Sequence, residues 1–386
     1  MLTLLLFLAV LSLLVLVHEL GHFVAARIFG VKAEEFGYGF PPRLIGFVKD
    51  GGKWKRVKRN DDTSYKNTIW SLNWLPLGGF VRIKGEGVED KMTDTDAFPV
   101  KPAWQRIIIL AAGVAMNWVL AYVLFAAVLL SGVPTVLEDL PKDAAVENRS
   151  VRITNVLPGM PAEQAGIKVG DEVLSVGGVA AVDYEQVRNE IMKAGEQAVD
   201  IRIKNEDEEK TITVQPTMVK ELGRPGIGVA LADVGVVRFS FFSALYHAGL
   251  AVVGYTWQTI VAFGTMIRDL VLLRHMEQDV AGPVGIAVMT GQMAKQGMVT
   301  LMQFAAILSI NLAVINFLPI PALDGGRILF VVIEKIRRKA VTRKLEAHIH
   351  QIAFIALIIL ILLVTVRDIG KYGGSILGGL KHLVGI

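Results

Sequence analysis

From Leu2 to Ala26 the chain carries no charge except inside the stretch His18-Glu19-Leu20-Gly21-His22. As a helix this run reaches about 37 Å at 1.5 Å per residue, enough to cross a hydrocarbon layer of about 30 Å. Peptide groups in such a layer have no water to bond, which forces the run to be helical. Comparable apolar runs return later in the 386 residues, separated by charged stretches. With 53% hydrophobic residues and a mean hydropathy of +0.49, a single water-soluble globule is excluded and a multi-span membrane protein is implied.

Lys and Arg number 40 against 36 Asp and Glu, a net charge of +4, too even a balance to argue for a nucleic-acid partner. The absence of cysteine excludes disulfides, thiolate ligands and a cysteine nucleophile, and leaves the redox compartment open.

The basic residues set a topology instead. Residues 1–30 form a first span. A signal peptide is the alternative, but the nearest positive charges, Arg27 and Lys32, follow the apolar run, which puts the N-terminus outside. Residues 31–105, with Lys53, Lys55, Arg56, Lys58 and Arg59, are then a cytoplasmic loop, and 106–131 a second span. Residues 132–235 are polar, with β-branched runs at Val151-Arg152-Ile153, Val199 to Ile203 and Thr211 to Val214, and read as a small domain on the outer face. Residues 300–334 are a third span, 335–349 a cytoplasmic loop, 350–367 a fourth span and 368–386 a tail. The cluster Lys335, Arg337, Arg338, Lys339, Arg343 and Lys344 is cytoplasmic only if one crossing follows the outer domain. Residues 236–299 are therefore read as interfacial amphipathic or re-entrant helices, in keeping with Tyr246, His247, Arg268 and Arg274. The tail lies outside despite Lys371 and Lys381.

His18-Glu19-Leu20-Gly21-His22 is an H-E-x-x-H pattern. Four residues along a helix bring both imidazoles to one face, where they can share a metal, with Glu19 beside them to activate water. Ionisable groups at this depth cost on the order of 2.5 kcal/mol or more each unless paired or metal-bound, so the position strengthens the pattern. The spacing fits a zinc (Zn2+) hydrolase, which needs a third protein ligand and an open position. Asp324 is the acid found at matching depth in the late apolar run, within Asn316-Phe317-Leu318-Pro319-Ile320-Pro321-Ala322-Leu323-Asp324-Gly325-Gly326. Two prolines and two glycines break the helix there, and irregular backbone at membrane depth normally lines a cavity. A buried Asp324 paired with Arg327 is the other reading of that acid.

These two segments together resemble the bacterial site-2 protease family, of the regulator-of-sigma-E-protease type. The resemblance takes in Gly37-Tyr38-Gly39-Phe40-Pro41-Pro42, Asn73 to Gly85, Gly113 with Asn117, the outer domain and Gly282-Pro283-Val284-Gly285-Ile286. It implies a polytopic α-helical membrane protein of about four spans, with a membrane-associated β-hairpin and one extracytoplasmic PDZ-like α/β domain. It also implies His18, His22 and Asp324 as zinc ligands, Glu19 as general acid/base and Asn316 near the substrate. Gly113 is followed by Val114, where the family often has proline, which leaves the local helix geometry open.

A substrate span arrives as a helix and must be unwound and held. Asn73 to Lys84 alternates apolar residues on either side of Gly78-Gly79, a hairpin pattern, and resembles the family's membrane-dipping β-loop, whose edge can pair with substrate backbone. Val156 to Gly178 resembles a PDZ domain, and Gly226-Ile227-Gly228 resembles the loop that captures a peptide C-terminus; a plain turn is the other reading of those glycines. The implied activity is zinc-dependent endopeptidase cleavage of the spans of single-span proteins, such as anti-sigma factors or remnant signal peptides. Substrates would be pre-trimmed by another protease, in an inner membrane, without nucleic acid. A PDZ-bearing adaptor without catalysis and a metal transporter are the rivals; an intact Glu19 opposes the first and the single polar cluster the second.

Overall fold

The computed structural model describes residues 2–384 apart from 60–62, 64, 87–93, 138–139, 142, 206–207, 220–223, 273–280 and 340; Arg274 lies outside the described residues. The chain divides into two compact units, Met1–Ala126 with His247–Ile386, and Ala127–Tyr246.

The first unit begins with helix α1 (Leu2–Ile28). Its end is set by Gly30, at φ +65°, with Val31 N–H donating to Ala26 O at 2.8 Å and Gly30 N–H to Arg27 O at 3.1 Å. These are the bonds of a glycine C-cap, which close off carbonyls left open by the last turn.

Strands β1 (Ala33–Asp50), β2 (Lys53–Val57) and β3 (Ile69–Ile83) follow, ordered β2-β1-β3. Both long strands fold back. Phe36 pairs with Val81 on one side and Trp70 on the other, and Gly37 with Phe80 and Ser71. The expected hairpin is corrected here: the arms on either side of Gly78-Gly79 do not pair with each other, because the first part of β1 lies between them. Gly37 permits this, since a Cβ there would sit 2.4 Å from Phe80 and 2.6 Å from Ser71.

The bend of β3 rests on α1. Ser12 Oγ donates to Pro76 O and accepts from Gly78 N–H, both at 3.2 Å, and a Cβ on Gly78 (φ +67°) would lie 2.6 Å from Val15.

Helix α2 (Ala103–Ser131) runs unbroken through Gly113-Val114, which resolves the geometry left open by the missing proline.

In the second unit, strands β4 (Val133–Val136) and β5 (Ala145–Val156) lead to a short helix α3 (Pro161–Gln164). After it come β6 (Glu172–Val176), β7 (Val179–Ala180), α4 (Tyr184–Ala194), β8 (Val199–Asn205), β9 (Glu208–Val214), β10 (Thr217–Val219), β11 (Arg224–Gly226) and β12 (Val229–Arg238). The main sheet is ordered β4-β12-β5-β6-β8-β9, with β7 beside β6, and β10 pairs with β11. Inward residues of alternating strands, Val151, Ile153, Ile201 and Ile203, pack with Val187 and Ile191 of α4. Asp183 starts α4 by accepting from Gln186 N–H at 2.8 Å.

The remaining helices are α5 (Phe241–Val271), α6 (Pro283–Lys295), α7 (Met298–Phe317), α8 (Asp324–Arg337) and α9 (Arg343–Val384). Among the described residues, five helices are long and apolar enough to cross a membrane, Leu2–Ile28, Ala103–Ser131, Phe241–Asp269, Met298–Phe317 and Lys344–Gly373, against the four expected from sequence. The fifth is α5, where Tyr246, His247 and Arg268 lie toward the two ends and leave the middle uncharged.

Two expectations are revised. The 300–334 span is two helices, separated where Pro319 and Pro321 withhold backbone donors. The basic loop and tail largely join the last apolar run in one helix, α9. Its Asp368, expected to open the tail, is 3% exposed and accepts from Gly285 N–H at 2.7 Å. The first-turn donors of α6 need such an acceptor.

One buried ionic group ties the sheet together. Glu35, 2% exposed, accepts from Arg43 Nε at 2.9 Å and Nη2 at 2.5 Å, and from Arg82. Burial alone would raise its pKa, but the bonds from Arg43, aided by the charge of Arg82, hold the carboxyl below its ordinary range. A depressed folded pKa contributes stability that is fully present above the unfolded value near 4.5 and is lost as pH falls through the folded one. Thermal unfolding in detergent is expected to be insensitive to Glu35 between pH 7 and about 5 and to weaken below about 4. Glu35→Gln, which removes the carboxylate charge facing buried Arg43, is expected to cost about 3–5 kcal/mol at neutral pH.

Candidate metal centre

α1 turns His18 and His22 toward α2, their ring centroids 4.8 Å apart and their planes at 85°. The helices meet through glycine. A Cβ on Gly21 would lie 2.2 Å from Ala112 O, and one on Gly113 would lie 2.3 Å from His22 Nε2 and 2.9 Å from His18 Cε1.

The far nitrogens of both rings bond to α2. His22 Nδ1 is 2.8 Å from Ile109 O, which can only accept a hydrogen bond and so fixes the ring proton on Nδ1. His18 Nδ1 is 3.2 Å from the side-chain amide of Asn117, whose Oδ1 is buried without a donor. Turning the amide over, an exchange of near-identical atoms, lets Oδ1 accept from His18 Nδ1–H and satisfies it. Both Nε2 atoms then carry lone pairs directed inward. Ser309 Oγ donates to Asn117 O at 2.8 Å, adding α7 to this frame.

Asp324, the first residue of α8, completes the cluster. Its Oδ2 lies 3.0 Å from His18 Nε2 and 3.3 Å from His22 Nε2, and the two nitrogens are 3.2 Å apart. Three acceptor atoms converge with no proton to place between them, which is repulsive unless a cation sits there. A tetrahedral zinc with bonds of about 2.0–2.1 Å has ligand-to-ligand edges of about 3.3–3.4 Å, so the residues fit that ion. His18, His22 and Asp324 form the three-residue group able to hold a metal among the described residues.

The approach of α8 is steric. Cβ atoms on Gly325 and Gly326 would lie 2.2 Å from Leu318 O and 2.3 Å from Ile320 O. Arg327, the alternative partner of Asp324, pairs with Glu86 instead. Glu19 accepts from Val81 N–H of β3 at 3.1 Å, so a strand holds the carboxylate beside the cluster.

The other residues singled out from sequence lie as follows. Asn316 is half-buried in the last turn of α7. Gly78 and Gly79 pack against Val15 and Leu16 of α1. Gly226, Ile227 and Gly228 belong to the second unit, where Ile227 O accepts from Ala162 N–H at 2.9 Å and Gly228 O from Leu157 N–H at 2.8 Å. Sequence reasoning missed Ile109 and Val81, which act through backbone atoms and leave no residue-type signal. Asn117 and Gly113 entered only through the resemblance.

A cation bound by two imidazoles and a carboxylate, with a second carboxylate at hand, is the working part of a metalloprotease. Comparison with known proteins gives the same class: residues 6–57 and 61–360 match Peptidase family M50, and the chain belongs to that family. It is 35% identical over 358 residues to the putative zinc metalloprotease CPE1693 of Clostridium perfringens, covering 93% of this chain and 96% of that one. It is 30% identical over 453 residues to the regulator of sigma-W protease RasP of Bacillus subtilis, covering 96% and 98%. A solved PDZ domain of an SdrC-like protein from Listeria monocytogenes aligns with 22% of this chain and 92% of its own, at 24% identity and a TM-score of 0.21. The chain is a zinc metalloprotease of the membrane.

Gly113→Ala is expected to displace His22 and lower zinc content by at least tenfold while leaving the protein folded. Metal analysis of the purified variant, with circular dichroism as the folding control, checks this.

Proposed function

We propose that the chain is an intramembrane endopeptidase whose zinc is held by His18, His22 and Asp324, with Glu19 as general acid/base. The carrying observation is the depth of the cluster: its two histidines sit on α1 after a run uncharged from Leu2 to Val17, and the first basic residue after them is Arg27. Such a place suits a substrate bond that is itself buried in lipid.

Bound zinc supplies Lewis-acid chemistry, polarising a carbonyl and acidifying water. Glu19 takes a proton from the attacking water at its carboxylate and delivers it to the leaving amine, so that water adds across the peptide C–N bond. β3 runs beside Glu19 and offers strand backbone to a substrate that must be extended to be cut, a form of strand addition. Asn316 lies toward the substrate, and Gly78 and Gly79 shape the bend of that strand.

The second unit acts as a PDZ domain on the extracytoplasmic side. It admits trimmed single-span substrates and rejects those with bulky outer domains, with Gly226, Ile227 and Gly228 at the end of its peptide groove. The positive-inside pattern supports this side, and four crossings in a cell inner membrane with α5 at the interface. Because RasP is named a regulator of sigma-W protease, anti-sigma factors are the first substrate class to try, with remnant signal peptides second.

Glu19→Gln is expected to keep its zinc and lose about 10²–10⁴-fold in cleavage of a trimmed single-span reporter. Loss of zinc from the parent, or cleavage by the variant at the parental rate, would move the adaptor reading to the front. Deleting residues 151–230 is expected to release cleavage of untrimmed reporters; unchanged selectivity removes the filter.

A further inference from the structure

The loop that delivers Asp324 is held from outside itself. Ala322, two residues before Asp324, has φ +78°, a left-handed conformation that residues other than glycine rarely adopt. The neighbouring donors are satisfied within the loop: Ile320 N–H bonds Leu318 O at 2.7 Å, and Leu323 N–H bonds Ile320 O at 3.2 Å. Ala322 N–H instead donates to Nδ1 of His350 in α9, at 2.7 Å.

The imidazole of His350 also lies against α8, its ring 5.3 Å from that of Phe330. Its Nε2 is buried without a hydrogen-bond partner, and Glu346 Oε1 stands 3.9 Å away. The accepting lone pair on Nδ1 is therefore the polar work this ring does. Gly325 and Gly326 wedge the start of α8 against carbonyls of the preceding segment, so a change at Ala322 passes directly to Asp324.

We propose that His350 is a positioning residue for the metal centre: by accepting Ala322 N–H it holds the α7–α8 loop in the left-handed bend that brings Asp324 to His18 and His22. It touches neither metal nor substrate. The inference rests on the zinc-ligand reading of those three residues and adds the group that keeps the third in place.

Three variants of the full chain in detergent test it, with zinc per chain after dialysis against graded chelator as the first readout and kcat and KM on the trimmed reporter as the second. His350→Asn puts a side-chain oxygen where Nδ1 was, His350→Gln puts it where Nε2 was, and His350→Leu removes the acceptor. The Asn variant is expected to retain zinc like the parent. The Gln and Leu variants are expected to hold zinc about 10–100-fold less tightly, as groups supporting a metal ligand commonly do when removed, and to lose kcat with little change in KM. Ala322→Gly, which adopts φ +78° without strain, is expected to restore most of the zinc retention to His350→Leu, a rescue that a general packing defect would not show.

Equal zinc retention in parent, Asn, Gln and Leu forms overturns the proposal and leaves the ligand reading standing; so does an Asn variant as weak as the Leu one. A parent that binds no zinc overturns the ligand reading, and the proposal with it. Should His350→Leu fail to fold, the Asn and Gln pair decides.

Discussion

The centre depends on how close the backbones of α1 and α2 come. Gly21 faces the Ala112 carbonyl and Gly113 faces the two imidazoles, and neither position has room for a methyl group. Small residues at a helix contact trade side-chain surface for proximity, which is how helices associate where lipid leaves no hydrophobic drive. Proximity does more here than pack. It lets Ile109 O and the Asn117 amide reach the outer nitrogens of His22 and His18, and so turns both inner lone pairs toward Asp324. The three acceptors thus converge with a mutual repulsion that a cation relieves.

A second constraint comes from the strand laid along α1. Backbone donors that face neither a partner strand nor water need another acceptor at this depth. Ser12 meets Gly78 N–H and Glu19 meets Val81 N–H, so two polar side chains of α1 take up two donors of that strand. Ser12 reads in sequence as an incidental residue in a hydrophobic run. In the fold it sets where β3 bends, and Glu19 is tethered to the same strand three residues later.

What was legible in the sequence followed from strong local rules. The i, i+4 imidazoles, the acid between two prolines and two glycines, and the apolar runs each have a physical signature, and they lead to the cluster His18, His22, Asp324. The β-sheet was less legible. Alternation around Gly78-Gly79 announces two arms and a turn, but cannot tell whether the arms pair with each other or take another strand between them; Gly37, remote in sequence, decides that. α9 shows the limit of charge counting: Asp368 looks like tail until Gly285 N–H claims it. Ile109 and Val81 could not have been found, since any residue other than proline supplies the same backbone atoms.

The ligands come from opposite ends of the chain, two from α1 and one from α8. During synthesis at about 5–20 residues per second, the interval between His22 and Asp324 lasts about 15–60 s. For that time the first helix carries its two imidazoles without the Asp324 carboxylate or the segment that wedges it in place. The three donor atoms therefore cannot meet until most of the chain has been made. Splitting the donor set between the first and the penultimate helix makes affinity for a cation a property of the finished fold rather than of its first segment.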